Sequence, residues 1–121
     1  MTETASEPRA ESAPGTAMRL DILHLPNCPN AAVLETRLAP LLATHPHIEV
    51  RRQIVAAEDD AVRLGMTGSP TLLVDGADPF ARPGQEPAIS SRLYPDEQGR
   101  PGPAPSLRQL REALHLGPGG P

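Results

Sequence analysis

Cysteine and aromatic residues are scarce in this 121-residue sequence, which contains one Cys, one Tyr, one Phe and no Trp. A single cysteine cannot form a disulfide within the chain, which excludes the class of small secreted domains held together by disulfides. A reducing compartment fits better, so we expect a cytoplasmic protein. Lysine is also absent, since all 11 basic residues are arginine. Together with abundant Ala, Pro and Gly, this composition indicates a GC-rich coding genome.

Charge and hydrophobicity limit the partners of the chain. The net charge is −4 and the sequence has no basic stripe with interleaved aromatic residues, so we expect no binding to nucleic acid. No stretch approaches the roughly 18 to 20 apolar residues that cross a bilayer, so we expect no membrane association. Residues 1–17 lack the basic start and apolar run of a signal peptide. We expect a disordered tail over 1–17, one domain over 18–116 and a flexible tail over 117–121.

The spacing of apolar residues predicts alternating strands and helices. Leu20 and Ile22 share one face of a first strand, and Leu23 and Leu25 share the other, which is typical of a strand buried on both sides. The predicted strands are 18–25, 48–55, 71–74 and 89–94, and the predicted helices are 31–44, 57–64 and 106–116. The first two strands should be parallel, because a helix joins them, and the last two antiparallel. The sequence thus predicts an α/β fold with a central mixed four-stranded sheet flanked by helices, in the order β-α-β-α-β-β-α.

Turn and cap residues support these boundaries. Gly65 is placed to end the second helix, and Ser106 is placed to cap the last one. Asp75-Gly76 is a strong turn signal after the third strand, and the proline-rich stretch 77–88 predicts a loop. Pro40 removes an amide donor inside the first helix, so we expect a kink there.

Cys28 lies where the first strand gives way to the first helix, in the segment Leu-Pro-Asn-Cys-Pro-Asn-Ala over 25–31. The start of a helix carries a partial positive charge that stabilises a thiolate, the reactive form of cysteine. A lone cysteine in a small domain is also commonly an inert, buried apolar residue. The position at a helix start makes Cys28 a candidate catalytic residue without excluding that alternative.

Three segments carry a resemblance to a known family: 25–31, Gly68-Ser69-Pro70-Thr71, and Val-Asp-Gly-Ala-Asp-Pro-Phe over 74–80. The chain resembles the thioredoxin-like superfamily, in particular small single-domain bacterial proteins of the thioredoxin fold. The resemblance covers about 18–116 and implies that Cys28 is the active-site cysteine and that Pro70 is a cis-proline. It further implies that the backbone around Ser69 receives a thiol-bearing peptide or a glutathione-like tripeptide by strand addition. The substrate-binding residues implied in this way are Asn27, Pro29, Asn30, Ser69, Pro70 and Thr71.

The chain departs from that family at the positions of a second thiol. Ala31 stands where a Cys-x-x-Cys motif would have its second cysteine, and Ser91 stands before Arg92-Leu93-Tyr94, where small relatives sometimes have one. Dithiol exchange within this motif is therefore excluded. We expect a monothiol redox protein, whose Cys28 forms a mixed disulfide with a protein or a low-molecular-weight thiol and is released by an external thiol. The alternatives are a non-catalytic binding module and a soft-metal or mercury-binding thiol protein, related to short chains labelled alkylmercury lyase.

Histidine and acidic residues do not complete a metal site in the sequence. His24 and Cys28 have a plausible ligand spacing, but two ligands do not make a zinc site, and His45 and His47 follow the far end of the first helix. Asp75 and Asp78, which could supply a carboxylate near the thiol, are more simply turn formers. We expect no metal and no cofactor.

Overall fold

The computed structural model describes residues 18–116, so the two predicted tails, 1–17 and 117–121, lie outside the described residues. Within this range the chain is a mixed α/β structure of three helices and seven short strands. The strands are β1 (Met18–His24), β2 (Ile48–Ile54), β3 (Thr67–Ser69), β4 (Thr71–Val74), β5 (Ala88–Ser91), β6 (Tyr94–Pro95) and β7 (Pro101–Gly102). The helices are α1 (Pro29–Thr44), α2 (Glu58–Leu64) and α3 (Leu107–Ala113).

The main sheet has three strands in the order β2-β1-β4. β1 pairs in parallel with β2 over its whole length and antiparallel with β4, with Ile22 opposite Arg52 on one side and Leu72 on the other. The parallel pair joined by α1 confirms the predicted crossover. The central position of β1 explains its composition, because a strand covered on both faces needs apolar residues at successive positions.

The two faces of β1 contribute to two apolar clusters. Leu20 and Ile22 are fully buried in a cluster with α1, α3 and Leu72 of β4. Leu23, on the opposite face, packs with Val55 and with α2 and the residues after it. These clusters confirm the predicted two-sided burial of the first strand. They fix the end of β1, from which the chain runs directly into the loop that carries Cys28.

Most predicted helix ends agree with the structure. α1 has Cys28 as its N-cap and Pro29 in its first turn, where the missing amide costs no helical hydrogen bond. The helix continues through Pro40 to Thr44, and the kink at Pro40 stays a prediction. α2 ends at Gly65, which adopts the left-handed conformation with φ +84. Ser106 caps α3 in a reciprocal capping box with Gln109.

The predicted four-stranded sheet is wrong, because the fourth strand does not pair with β4. The Asp75-Gly76 turn forms with positive φ at both residues, but it reverses the chain only as far as Ala77, which bridges to Val74. The loop that follows contains three prolines, which lack the amide donor that an extended ladder requires. The chain therefore leaves the edge of β4 before another strand begins.

β5 instead pairs in parallel with β3, which the sequence did not predict as a strand. The Ala88 amide donates to the Met66 carbonyl and the Arg92 amide donates to the Ser69 carbonyl, both at 3.0 Å. The predicted strand 89–94 therefore ends early, and Tyr94 belongs to a separate two-stranded hairpin of β6 and β7. The two-stranded sheet of β3 and β5 places β5 and the residues after it beside the Gly68–Thr71 turn.

Among residues 18–116, no helix is both long and apolar enough to cross a membrane.

Candidate functional site

Cys28 occupies the N-cap position of the 16-residue helix α1 and is half-buried. Its backbone carbonyl accepts a hydrogen bond from the Ala31 amide at 3.2 Å, which begins the helix. Its side chain makes no capping hydrogen bond, so Sγ is not engaged by the amides of the first turn. The sulfur therefore lies at the positive end of a 16-residue helix without taking part in its cap.

The Ser69 hydroxyl is the polar contact of the Cys28 sulfur. It donates a hydrogen bond to Sγ, with an O···S distance of 3.0 Å, and accepts one from the Leu25 amide at 2.9 Å. Ser69 is fully buried, so this hydroxyl has little freedom to turn toward water. A hydroxyl that donates to a sulfur forms a stronger hydrogen bond when that sulfur carries negative charge. The structure thus brings together Cys28 and Ser69, two residues that the sequence assigned to one site.

The turn that carries Ser69 is held by its own side chains. The Thr71 hydroxyl donates to the Gly68 carbonyl at 2.6 Å and accepts from the Thr67 amide at 3.1 Å. The Ser69–Pro70 peptide bond is cis, and Pro70 is buried. Thr71 is fully buried and its hydroxyl is engaged within the turn, so its side chain is not presented to a substrate.

Gly68 is required by the close approach of Arg92. A Cβ built on Gly68 would lie 2.6 Å from the Arg92 Cβ, which is too short for two carbon atoms. Its φ of +132 is also a conformation that residues with side chains rarely adopt. Glycine therefore lets β3 and β5 lie against each other next to the site.

A buried ion pair anchors this region from the other side. Arg92 Nη1 donates to Asp78 Oδ2 at 2.8 Å and to Thr67 Oγ1 at 3.0 Å, and Nη2 donates to the Phe80 carbonyl at 2.8 Å. Both charged side chains are about nine-tenths buried or more, with 5% exposed for Arg92 and 11% for Asp78. The sequence predicted Asp78 as a turn former, with a carboxylate near the thiol as the alternative. The pair with Arg92 was not predicted, because no local pattern joins two residues that lie 14 positions apart in the chain.

Tyr94 packs under this ion pair and contacts the turn. Its hydroxyl donates to the Pro70 carbonyl, and the Arg92 guanidinium carbon lies 4.5 Å from the centre of its ring. Burial raises the pKa of Tyr94 well above its usual range, with the Arg92 charge opposing and the Asp78 charge adding to the effect. Tyr94 is therefore a neutral hydrogen-bond donor that fixes the turn through Pro70.

The backbone of Ser69 is not open in the way that the resemblance implies. Its carbonyl accepts the Arg92 amide, and its position in β3 pairs with Ser91 in β5. The amide and the carbonyl of one strand residue point to the same side, so β5 occupies the edge at which a peptide strand would add. Strand addition at the Ser69 carbonyl therefore requires β5 to be displaced first.

The remaining predicted site residues surround the thiol in the chain. Asn27 and Pro29 are exposed on either side of Cys28, and Asn27 has a positive φ of +56, while Asn30 is half-buried. His24 Nδ1 lies 2.8 Å from the Leu25 carbonyl. Within residues 18–116, no group of three or more His, Cys, Asp or Glu side chains is arranged to hold a metal ion.

Comparison with protein-family models, with curated proteins and with solved structures finds no match to this chain.

Proposed function

We propose that this chain is a thioredoxin-like protein in which the Cys28 thiol forms mixed disulfides that a thiol from outside the chain resolves. The observation that carries the proposal is the hydrogen bond from the buried Ser69 hydroxyl to Cys28 Sγ at the start of α1. The hydroxyl and the helix start place a hydrogen-bond donor and a partial positive charge where negative charge develops on the sulfur during thiol exchange.

The assignment to a thioredoxin fold is supported by the placement of the two resembling motifs. Cys28 follows the central strand β1 at the beginning of a helix, and Pro70 directly precedes β4, which is antiparallel to β1. The parallel β1–α1–β2 unit is also what such a fold requires. The contact between Ser69 and Cys28 joins the two motifs in one site.

The proposed reaction is thiol–disulfide exchange in two steps. The Cys28 thiolate attacks one sulfur of a disulfide, forms a mixed disulfide and releases the other sulfur as a thiolate. A second, external thiolate then attacks the mixed disulfide, regenerates the Cys28 thiolate and leaves as a new disulfide. Ala31, buried at the position of a second thiol, cannot perform that second step. The Ser69 hydroxyl stabilises the Cys28 thiolate whenever it is the attacking or leaving group.

Oxidised glutathione provides a direct test. We expect it to convert the protein into a glutathione adduct at Cys28, measured by intact-mass spectrometry, and reduced glutathione to reverse the reaction. Ser69→Ala removes the donor to the sulfur, and we expect the adduct to form about tenfold more slowly, since a hydrogen bond to a charged group contributes about 1.5–3 kcal/mol. The matched control is Ser90→Ala, which removes an exposed hydroxyl from β5.

Two results would contradict the proposal: a Cys28 that stays unmodified, or a Ser69→Ala variant that reacts as fast as Ser90→Ala while remaining folded by circular dichroism. Two further measurements, of partner binding and of metal binding, separate the alternatives. A non-catalytic binding module keeps its partner after Cys28→Ser, whereas a mixed-disulfide protein loses it. A soft-metal thiol protein binds mercury(II) or copper(I) at Cys28 and does not cycle with glutathione.

A further inference from the structure

A cavity of about 220 Å³ lies between the loop after β4, the segment that joins β5 to β6, and α3. Its walls are mainly apolar and are formed in part by Phe80, Leu93, Tyr94 and Pro95. Cys28 and Ser69 do not line this cavity, so its occupant is independent of the thiol chemistry proposed above.

The apolar wall of the cavity is buried at its base and exposed at its mouth. The rings of Phe80 and Tyr94 meet edge to face with their centres 5.6 Å apart, and Tyr94 is only 3% exposed. Leu93, between Arg92 and Tyr94 in the chain, is 54% exposed. A large apolar side chain that lines a cavity and is open to water favours contact with an apolar ligand.

Two arginines, Arg82 and Arg92, are among the residues that line the same cavity, and no Asp or Glu is among the described lining residues. Arg92 has five N–H donors, of which three are engaged, so two have no acceptor within residues 18–116. The Arg92 side chain is 5% exposed, which makes these donors costly to leave unpaired. Arg82 is exposed, and its guanidinium makes no ion pair or hydrogen bond with any described residue. An anion in the cavity would give these donors an acceptor and would give Arg82 a counter-charge.

We propose that this cavity binds a small carboxylate that carries a short alkyl chain or a single ring. The carboxylate pairs with Arg82 at the rim and accepts hydrogen bonds from the free Arg92 donors, and the apolar part packs against Leu93, Phe80 and Tyr94. Guanidinium groups match carboxylates because of their planar, forked donors. The volume limits the ligand, since pockets for drug-sized molecules measure about 300–1,000 Å³.

The only tyrosine of a chain without tryptophan lies in this cavity, so its fluorescence reports on occupancy. The probes are hexanoate and hexan-1-ol, which share an alkyl chain and differ in charge. We expect hexanoate to change the Tyr94 emission saturably at about millimolar concentration, as befits a ligand of few atoms. Hexan-1-ol should bind at least tenfold more weakly, because it lacks the charge that pairs with Arg82.

Arg82→Gln should reduce hexanoate affinity about tenfold and leave hexan-1-ol affinity unchanged. The matched control is Arg63→Gln, which removes the same charge from α2 at a residue that does not line the cavity. The proposal is overturned if hexanoate produces no saturable change, if hexan-1-ol binds as tightly as hexanoate, or if Arg82→Gln and Arg63→Gln bind hexanoate equally. None of these outcomes bears on the reactivity of Cys28, which the glutathione experiment measures separately.

Discussion

Gly68 and Gly65 both have positive φ, but their surroundings differ. A Cβ on Gly65 would meet no atom within 4 Å, whereas a Cβ on Gly68 would overlap the Arg92 Cβ at 2.6 Å. We expect Gly65→Ala to lower the free energy of unfolding by about 1–2 kcal/mol, the cost of the backbone conformation alone. Gly68→Ala should cost about 1–3 kcal/mol more, because it adds overpacking.

Urea unfolding of the two variants beside the unmodified chain gives both free energies. Equal losses for Gly65→Ala and Gly68→Ala would mean that β5 does not lie against the Gly68 turn.

The buried hydroxyl of Tyr94 gives the stability of the chain a dependence on alkaline pH. Burial raises the pKa of Tyr94 in the folded state, while the unfolded chain ionises near its ordinary pKa of about 10. The contribution of the buried Tyr94 hydroxyl to the free energy of unfolding is therefore fully present below about pH 10. As the pH rises further, the free energy of unfolding falls by about 1.4 kcal/mol per pH unit. Urea midpoints between pH 8 and 11 check this expectation, together with the tyrosinate absorbance of this single tyrosine.

Tyr94→Phe is the control, since it keeps the ring against Phe80 and removes the ionising group. Its stability should be lower at pH 8, because the Pro70 carbonyl loses its donor, and should fall less steeply above pH 10. A parallel decline in both proteins, or an exposed tyrosinate at pH 10 in the folded chain, would contradict the burial of the hydroxyl.

At the scale of elements, the pairing of β5 with β3 makes a prediction that distinguishes it from the sheet expected from the sequence. The amides of Ala88 and Arg92 donate to Met66 and Ser69 carbonyls, so we expect both to be protected in amide hydrogen exchange. Nuclear Overhauser contacts should join β5 to β3 and not to β4. Contacts between 88–91 and β4, as in the predicted four-stranded sheet, would disprove the arrangement.

The elements that the sequence predicted well carry local signals of their own. β1 and α1 bury apolar residues at strand and helix spacing, and α2 has acidic residues in its first turn and Gly65 after its last residue. β2 is mostly exposed and is held by its parallel pairing with β1. β3 is only three residues long and β5 four, and their pairing depends on the buried Arg92 side chain and on glycine at position 68. The pairing of β3 with β5 therefore could not be predicted from the spacing of apolar residues, because it depends on the Asp78–Arg92 ion pair and on the absence of a side chain at Gly68.

The candidate site was predictable in part for the same reason. Cys28 at a helix start follows from local signals, and the link to Ser69 followed from resemblance. The engagement of the Ser69 carbonyl by Arg92 was not predictable, because it arises from a tertiary contact with a residue 23 positions away in the chain. That contact occupies the Ser69 carbonyl at which the resemblance implied strand addition.

At the scale of the whole molecule, the Asp78–Arg92 ion pair connects the loop after β4 to β3, through Thr67, and to the end of β5, which Arg92 follows directly. The surface pair Asp60–Arg63 has the same N···O distance of 2.8 Å but is about half-exposed on both sides. Asp78→Asn leaves a buried guanidinium without its counter-charge, and we expect a loss of about 3–5 kcal/mol. Asp60→Asn should cost at most about 1 kcal/mol.

Thermal and urea unfolding measure both variants against the unmodified chain. A small domain has a total stability of only about 5–15 kcal/mol, so Asp78→Asn should bring the chain close to unfolding at 37 °C. Similar losses for Asp78→Asn and Asp60→Asn would show that the buried pair does not hold the molecule together.

The Ser69 hydroxyl contacts the sulfur with its proton and the Leu25 amide with its oxygen. In the proposed mixed disulfide, the sulfur that accepts this hydroxyl proton would be a weakly accepting disulfide sulfur, which would leave the hydroxyl proton less polarised. Hydrogen bonds in series polarise one another, so the bond from the Leu25 amide changes with it. The proposed modification of Cys28 would thereby reach the backbone just after β1, and the amide resonance of Leu25 would report on it.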